Sequence, residues 1–288
     1  MGVNSSLIND VQKLLPANLY EDNQRVAKFE ARLIAEKITG KNYSQLVTQN
    51  IELDELQVSE ITRIVKLRST GMPLAYILKE AYFRDLEIFV DERVLIPRSE
   101  TELLVDKVLN SITKIENPKI LEVGVGSGAI SLSISHERSD AAVIGVDLSQ
   151  GAVDVANLNK AKFGFVGKNV QFLQGNIFDS LSAKFYNYFD VIVSNPPYIG
   201  EDEKQSLSPQ VLDYEPHMAL FADELGFEIY RKILDGSKKW LKTSGVVLFE
   251  ISPRHKDSLF AQANELGFSE VNFYNDLTGT TRIAQIII

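Results

Sequence analysis

From about residue 99 to its end, the chain alternates segments of helical periodicity with short apolar runs typical of buried strands. Helices are predicted over residues 100–112, 129–136, 152–163, 227–241 and 256–266. Strands are predicted over residues 119–123, 141–146, 170–173, 191–193, 245–251, 271–274 and 282–287. Such alternation implies a parallel sheet covered on both faces by helices, and therefore an α/β fold. Because no helix separates the last two strands, they predict an antiparallel addition at one edge of the sheet.

The residues before this region carry two other patterns. In the first part, apolar residues recur at helical spacing and Gly40 stands where a helix would end, so an all-helical domain is predicted. Between Phe83 and Leu95 the apolar residues alternate, interrupted by Asp91 and Glu92, which predicts a β-hairpin linker. The predicted organisation is a helical domain over residues 1–78, a hairpin linker over residues 79–98 and an α/β domain over residues 99–288.

A glycine-rich loop follows the predicted strand 119–123 and opens the next helix. Glycines at these positions allow a tight turn and a close approach of the backbone to a ligand. Asp147 ends the next strand and is well placed to accept hydrogen bonds from a ribose diol. The pattern also fits a dinucleotide-binding loop, so a nicotinamide enzyme is an alternative, as is a purely structural turn. The cofactor residues predicted here are Gly124, Val125, Gly126, Ser127, Gly128, Asp147 and Leu148.

Two further side chains bear on which cofactor this loop holds. Glu122 precedes the loop, and a carboxylate there suits a ligand with cationic parts, such as the sulfonium and ammonium of S-adenosylmethionine, better than a pyrophosphate. Glu122 could equally cap N–H groups of the loop, and both roles are compatible. Asn176 and Ile177 follow the third strand, where Asn176 is predicted to contact the polar edge of an adenine; a local Asx-turn is an equal alternative.

The run Asn195-Pro196-Pro197-Tyr198 follows the predicted strand that ends at Ser194. Consecutive prolines fix two φ angles and remove two N–H donors, so the loop presents carbonyl groups in a rigid geometry. The side-chain oxygen of Asn195 and the carbonyl of Pro196 can accept both hydrogens of a planar NH2 group, while Tyr198 can stack on its face. A rigid turn after a core strand is the alternative, but the glycine loop upstream favours a substrate loop.

The amino-acid composition indicates which kinds of partner and which cellular location to expect for this protein. The net charge of −9 weighs against a nucleic-acid backbone as the main partner. The chain has no cysteine, and its three histidines are too scattered for metal-ligand spacing, so no metal site is expected. Without a signal-peptide pattern or an apolar run of about 20 residues, a soluble cytoplasmic protein is expected.

Several separate segments resemble the release-factor glutamine methyltransferase family, a group of class I S-adenosylmethionine-dependent methyltransferases. The segments that carry the resemblance are Pro73–Leu78, Leu95–Glu102, Ile120–Ile130, Asn195–Tyr198, Glu215–Phe221 and Asp276–Arg282. They span about residues 73 to 288 in the family's order. The chain departs from the family pattern at Lys79, Glu122, Asn176-Ile177 and Ser252, and Asn176 bears on cofactor affinity rather than reaction type.

The resemblance implies a seven-stranded Rossmann-like methyltransferase domain, with a helical N-terminal domain that helps to dock a protein substrate. It implies methylation of the side-chain amide nitrogen (N5) of the glutamine in the Gly-Gly-Gln motif of class 1 peptide chain release factors. Asn195, Pro196, Pro197 and Tyr198 would then be the catalytic and substrate-binding residues, with Asn195 also close to the cofactor. An adenine amino-methyltransferase, a nicotinamide oxidoreductase and a non-catalytic scaffold are the alternatives. A monomer with no direct nucleic-acid or membrane partner is expected.

Overall fold

Apolar spacing and local caps determine the helices at the start of the chain. The structure is a computed structural model that describes residues 7–20, 23–164, 169–222 and 225–288. The helices of the first part are α1 (Leu7–Leu14), α2 (Gln24–Thr39), α3 (Tyr43–Thr48), α4 (Glu55–Arg68) and α5 (Leu74–Leu78). Gly40 ends α2 in the left-handed conformation with φ 65°, as predicted, while Asn42 and Asp54 form capping boxes at α3 and α4. Residues 1–6 of the predicted helical domain lie outside the described residues.

A short hairpin follows, but its turn differs from the prediction. Strands β1 (Ala81–Phe83) and β2 (Leu86–Ile88) pair in antiparallel fashion around Arg84 and Asp85, and Arg84 has a φ of 50°. The prediction that Asp91 and Glu92 interrupt the hairpin is therefore wrong. Asp91 lies beyond β2, where its carboxylate pairs with Arg93 at 2.6 Å.

The remaining elements alternate between helix and strand. They are α6 (Thr101–Ser111), β3 (Lys119–Val123), α7 (Ala129–Glu137), β4 (Ala142–Asp147), α8 (Gln150–Lys162), β5 (Val170–Gln174), β6 (Phe189–Ser194), α9 (Pro209–Tyr214), α10 (His217–Leu220), α11 (Glu228–Ser237), β7 (Leu241–Glu250), α12 (Lys256–Glu265), β8 (Glu270–Asn275) and β9 (Thr281–Ile287). The helix predicted over 227–241 ends early. Trp240 and Leu241 continue its apolar spacing, but their side chains belong to the core of the sheet and Leu241 begins β7.

One sheet of seven strands carries this region, in the order β5-β4-β3-β6-β7-β9-β8. Strands β3 to β7 are parallel, whereas β9 is antiparallel to both β7 and β8. The predicted α/β class and the antiparallel addition at one edge are confirmed. From β3 the chain continues outward through β4 to β5 and then crosses back to β6 on the other side of β3. Such a switch point leaves a crevice at the carboxyl ends of the strands.

Contacts within the chain define two units. One contains the chain up to Lys79 together with α9, and the other contains Glu80–Ser208 and Glu215–Ile288. The hairpin β1–β2 thus groups with the sheet, and the functional division into a docking domain, a linker and a catalytic domain stays a prediction. None of the helices in the described part of the chain has both the length and the apolar character needed to cross a membrane.

Candidate active site

A cavity opens at the carboxyl ends of β3, β4, β5 and β6. Because parallel strands end at the same edge of a sheet, residues far apart in sequence meet there. The predicted site residues that line this cavity are Glu122, Gly124, Val125, Gly126, Ser127, Asp147, Leu148, Asn176, Ile177, Asn195 and Pro197. The other predicted residues, Gly128, Pro196 and Tyr198, lie outside the lining.

The glycine loop turns tightly between β3 and α7. Gly124, Gly126 and Gly128 all have positive φ, at 81°, 55° and 83°. A Cβ added at Gly126 would meet no atom within 4 Å, so there is open space beside the loop at this position. At Gly128 a Cβ would instead press against Phe172 at 3.2 Å, which makes this glycine a packing residue beneath the loop.

Glu122 is buried at the end of β3, with 1% of its surface exposed. Its Oε2 accepts hydrogen bonds from the backbone N–H and the hydroxyl of Ser131 in the first turn of α7. Its Oε1 is buried without a hydrogen-bond partner among the described residues. Burial, opposed by the Ser131 hydrogen bonds and assisted by nearby Asp147, raises the pKa of Glu122 to about 8. A cation in the cavity would satisfy Oε1 and favour the ionised carboxylate.

Asp147 connects the end of β4 to the glycine loop. Its Oδ2 accepts from the N–H of Gly126 at 2.8 Å, and its Oδ1 accepts from the N–H of Ser149 at 2.9 Å. Burial raises its pKa, although these backbone donors act in the opposite direction. Each carboxylate oxygen has a second lone pair, so both can still accept a hydroxyl hydrogen from a diol. The predicted ribose contact stays a prediction.

The turn after β5 adds two predicted residues to the lining. The N–H of Asp179 donates to the carbonyl of Asn176 at 2.9 Å, which closes the turn. Ile177 adopts a φ of 54°, a conformation that is rare for a β-branched residue. Backbone strain of this kind persists only where the surroundings enforce it, and it is common at ligand sites.

The Asn-Pro-Pro-Tyr loop lies beside the glycine loop. The hydroxyl of Ser194 donates to the carbonyl of Val123 at 2.6 Å, and a Cβ on Gly124 would be 3.9 Å from the carbonyl oxygen of Asn195. The far end of the loop is held by His255, whose Nε2–H donates to the carbonyl of Tyr198 at 3.1 Å. Burial raises the pKa of the Tyr198 phenol to about 12, so it stays protonated near neutral pH.

Sequence analysis did not predict a role for three residues around this loop, which are Thr101, Glu250 and His255. The amide nitrogen of Asn195 donates to Thr101 Oγ1 at 3.2 Å, and that hydroxyl in turn donates to Glu250 Oε2 at 2.6 Å. Thr101 begins α6 and Glu250 ends β7, 149 residues later. No local pattern in the sequence signals a contact of this separation.

The methyltransferase-domain family matches residues 114–271, and the PrmC N-terminal domain family matches residues 16–78. The "Bifunctional methyltransferase" of Rickettsia typhi is 34% identical over 280 residues, covering 90% of this chain and 53% of that protein. This chain thus spans about half the length of that bifunctional relative. The "Release factor glutamine methyltransferase" of Thermodesulfovibrio yellowstonii is 37% identical over 241 residues, covering 83% of this chain and 85% of that protein.

Among solved structures, the hMettl16 catalytic domain in complex with MAT2A 3′UTR hairpin 1 matches with a TM-score of 0.56 and 13% identity, covering 88% of this chain and 90% of that one. At this identity the likeness concerns the fold alone. The matched family domain covers the strands that form the cavity, so fold and site together define a class I methyltransferase. The 37% identity with the T. yellowstonii protein, over most of both chains, identifies the family within this class. The chain belongs to the release factor glutamine methyltransferase family, which confirms the resemblance seen in the sequence.

Proposed function

We propose that this chain transfers a methyl group from S-adenosylmethionine to the side-chain amide nitrogen (N5) of the glutamine in the Gly-Gly-Gln motif of class 1 peptide chain release factors. Family membership supports the reaction class and the substrate class. The observation that carries the proposal is that Asn195 lines the cavity, with its backbone carbonyl oxygen beside the glycine loop. A planar NH2 group entering there meets acceptors from the Asn-Pro-Pro-Tyr loop.

The cavity fits S-adenosylmethionine in two respects. The unpartnered Oε1 of Glu122 is a buried acceptor that suits a cationic ligand, and the open space at Gly126 accommodates a ligand against the backbone. Asp147 would accept from the ribose hydroxyls, while Asn176 and Ile177 would flank the adenine. When bound, this cofactor supplies an electrophilic methyl group on a sulfonium, with a neutral leaving group.

The protein's own contribution to the reaction is orientation and electrostatics. An amide nitrogen is a weak nucleophile because its lone pair is delocalised. Acceptors at Asn195 Oδ1 and the Pro196 carbonyl would hold both N–H bonds, and they would favour the positive charge that develops on the nitrogen. Pro196 and Pro197 keep these acceptors in place with little loss of entropy on binding. The methylated amide is a strong acid while cationic, so it loses a proton without a dedicated base.

Incubation of the purified chain with a class 1 release factor and S-adenosylmethionine, followed by peptide mass spectrometry, tests the proposal. We expect a gain of one methyl group on the Gly-Gly-Gln glutamine. A release factor with that glutamine changed to alanine is the control, and a DNA or RNA oligonucleotide serves as the competing substrate. Methylation of the oligonucleotide alone, or no transfer to either substrate, would contradict the proposal.

Calorimetry tests the cofactor separately from the substrate. We expect binding of S-adenosylmethionine and no binding of NAD. Asp147→Ala should weaken cofactor binding by about 1–3 kcal/mol, because groups bonded to this carboxylate would be left unpaired. Tight NAD binding without any binding of S-adenosylmethionine would contradict the assignment.

We also propose that the chain works as a cytoplasmic monomer. The net charge of −9 keeps it in solution and suits a protein substrate better than a polyanionic one. The proposed activity concerns the part of the longer bifunctional relatives that this chain spans. Light scattering of the purified chain, with and without release factor, tests the oligomeric state.

A further inference from the structure

Behind the Asn-Pro-Pro-Tyr loop runs a chain of hydrogen bonds that joins three side chains from three elements. Glu250 and Thr101 are both buried, with 2% and 5% of their surfaces exposed. Glu250 Oε2 lies 2.6 Å from Thr101 Oγ1, and Thr101 Oγ1 lies 3.2 Å from Asn195 Nδ2. Of these three residues, Asn195 and Thr101 line the cavity, whereas Glu250 contacts the site through Thr101.

The number of hydrogens that these three side chains can donate determines the direction of each hydrogen bond. A threonine hydroxyl has one hydrogen and can donate only once. An ionised Glu250 can only accept, so the Thr101 hydrogen points toward Glu250 and the Thr101 oxygen can only accept from the Asn195 side. The amide group of Asn195 must then present its NH2 to Thr101. Its Oδ1 is thereby directed away from Thr101.

Orientation matters because the two ends of a carboxamide have opposite hydrogen-bonding character. A substrate NH2 needs an acceptor, which only Oδ1 provides. In the reversed orientation Asn195 would present its own NH2 to the substrate, and two donors would face each other. Without a fixed partner on one side, an asparagine amide can rotate between these two arrangements.

We infer that Thr101 and Glu250 are positioning residues, which hold the Asn195 amide with its Oδ1 directed at the amide hydrogens of the substrate glutamine. This inference rests on the proposed function. It assigns to α6 and β7 a role in the reaction, although neither residue touches the substrate nitrogen. Thr101 donates to the buried carboxylate of Glu250 and accepts from Asn195, so it fixes which end of the Asn195 amide faces it.

The same arrangement makes the orientation sensitive to protonation of Glu250. Burial raises the pKa of Glu250 to about 7, against the lowering effects of Thr101 and the arginines. The ionisable groups around it are Arg98, Glu100, Tyr198, Tyr230 and Arg282. A protonated Glu250 can donate to Thr101, whose hydrogen is then released to donate to Asn195 Oδ1. The methyl-transfer rate should therefore fall as the pH drops below about 7.

Thr101→Val and Thr101→Ser separate positioning from packing, because valine keeps the shape without the hydroxyl and serine keeps the hydroxyl. We expect the single-turnover rate of Thr101→Val to fall about tenfold or more, the equivalent of roughly 1.4 kcal/mol of lost orientation. Cofactor affinity should stay within about twofold of wild type, and Thr101→Ser should retain most of the rate. The pH profile of Thr101→Val should also lose the decline below pH 7.

A folded Thr101→Val variant with the wild-type rate would overturn the inference, and so would equal losses in Thr101→Val and Thr101→Ser. If Thr101→Val does not fold, the wild-type profile decides: a single-turnover rate that does not change between pH 6 and 8 overturns the inference. A wild-type chain that methylates no release factor would count against the proposed function instead. The two failures are therefore distinguishable.

Discussion

At the residue scale, one carboxylate oxygen of Glu122 makes a structural contact, and the other is the acceptor that we propose for the cofactor. One oxygen caps the first turn of α7 through Ser131, which anchors the glycine loop to its strand. The other oxygen is buried and has no hydrogen-bond partner among the described residues, and Glu122 is one of the residues that line the cavity. The capping interpretation of Glu122 thus has a structural basis in Ser131, while its contact with a cofactor stays a prediction. A carboxylate kept largely protonated by burial ionises most readily when a cation arrives.

We predict that the stability of the cofactor-free chain falls as the pH rises from about 5 to 8. The folded-state pKa of Glu122 is about 8 and that of Glu250 about 7, both above the usual 4.5. The folded state therefore binds more protons than the unfolded state in this window, so raising the pH favours unfolding, by up to about 1.4 kcal/mol per pH unit for each group. Denaturant unfolding at several pH values measures the slope.

Glu122→Gln is the matched control for this prediction, because it keeps the shape and one acceptor but cannot ionise. Its slope between pH 5 and 8 should be shallower than that of wild type, because only Glu250 of the two groups then contributes. Identical slopes in the two chains would show that Glu122 is not the group responsible.

Asn195 provides the sharpest test of the substrate loop. Asn195→Ala removes the acceptor, and we expect a loss of about 10²-fold or more in kcat, the scale seen when one preorganised electrostatic contact is deleted. Asn195→Asp keeps an acceptor and should retain cofactor binding, but it loses the NH2 that donates to Thr101. Melting temperature and single-turnover rate are measured on the same preparations. An alanine variant that is folded and turns over at a near-normal rate would remove Asn195 from catalysis.

At the element scale, the sheet could be predicted because its central strands β3, β4 and β6 are largely apolar runs buried on both faces. Strand β3 was predicted with its observed bounds, Lys119–Val123, and its neighbours to within a few residues. Once the strands are parallel, their carboxyl ends must meet, so Glu122, Asp147 and Asn195 could be assigned to one site without knowing any contact.

The features that could not be predicted depend on tertiary contacts. The hairpin turns at Arg84, whose guanidinium pairs with Asp106 and Glu137, two residues far away in sequence. Locally, Asp91 and Glu92 were the stronger turn signal. The hydrogen bonds from Glu250 through Thr101 to Asn195 could likewise not be predicted from sequence periodicity. Thr101 begins a helix, and Glu250 ends a strand 149 residues later.

Strand β4 offers a prediction about the support of the glycine loop. A Cβ on Gly145 would lie 2.5 Å from Val125 and 2.8 Å from Phe172, closer than packed atoms can approach. Gly145→Ala should therefore destabilise the chain by about 1–3 kcal/mol and weaken cofactor binding, because Val125 must move. Gly164→Ala, where a Cβ would meet nothing within 4 Å, is the control and should be nearly neutral. Denaturant unfolding and calorimetry measure both effects, and equal behaviour of the two variants would refute the packing argument.

At the scale of the whole molecule, the helical unit is assembled from two stretches of sequence. Helix α9 belongs to it although it follows the substrate loop along the chain. The Tyr214 hydroxyl donates to the carbonyl of Thr70 at 2.7 Å within this unit. The sheet-bearing unit supplies all of the residues that line the cavity. We therefore predict that the helical unit serves recognition of the protein substrate rather than the chemistry.

A shortened chain that begins at Glu80 tests this division of labour. It should still bind S-adenosylmethionine with unchanged affinity, because every lining residue of the cavity remains. It should methylate a short Gly-Gly-Gln peptide at a rate near that of the full chain. Its kcat/KM for an intact release factor should fall at least about tenfold, which corresponds to roughly 1.4 kcal/mol of lost docking energy.

Because α9 loses its partners in the shortened chain, circular dichroism and cofactor affinity must first show that the sheet-bearing unit is folded. The full chain with Tyr214→Phe is the matched control, since it removes only the Tyr214 hydroxyl with its hydrogen bonds to Thr70 and keeps the helical unit. It should behave as wild type on the short peptide. If a folded shortened chain lost activity equally on the peptide and on the release factor, the helical unit would be required for the chemistry itself, because a docking surface can affect only the larger substrate.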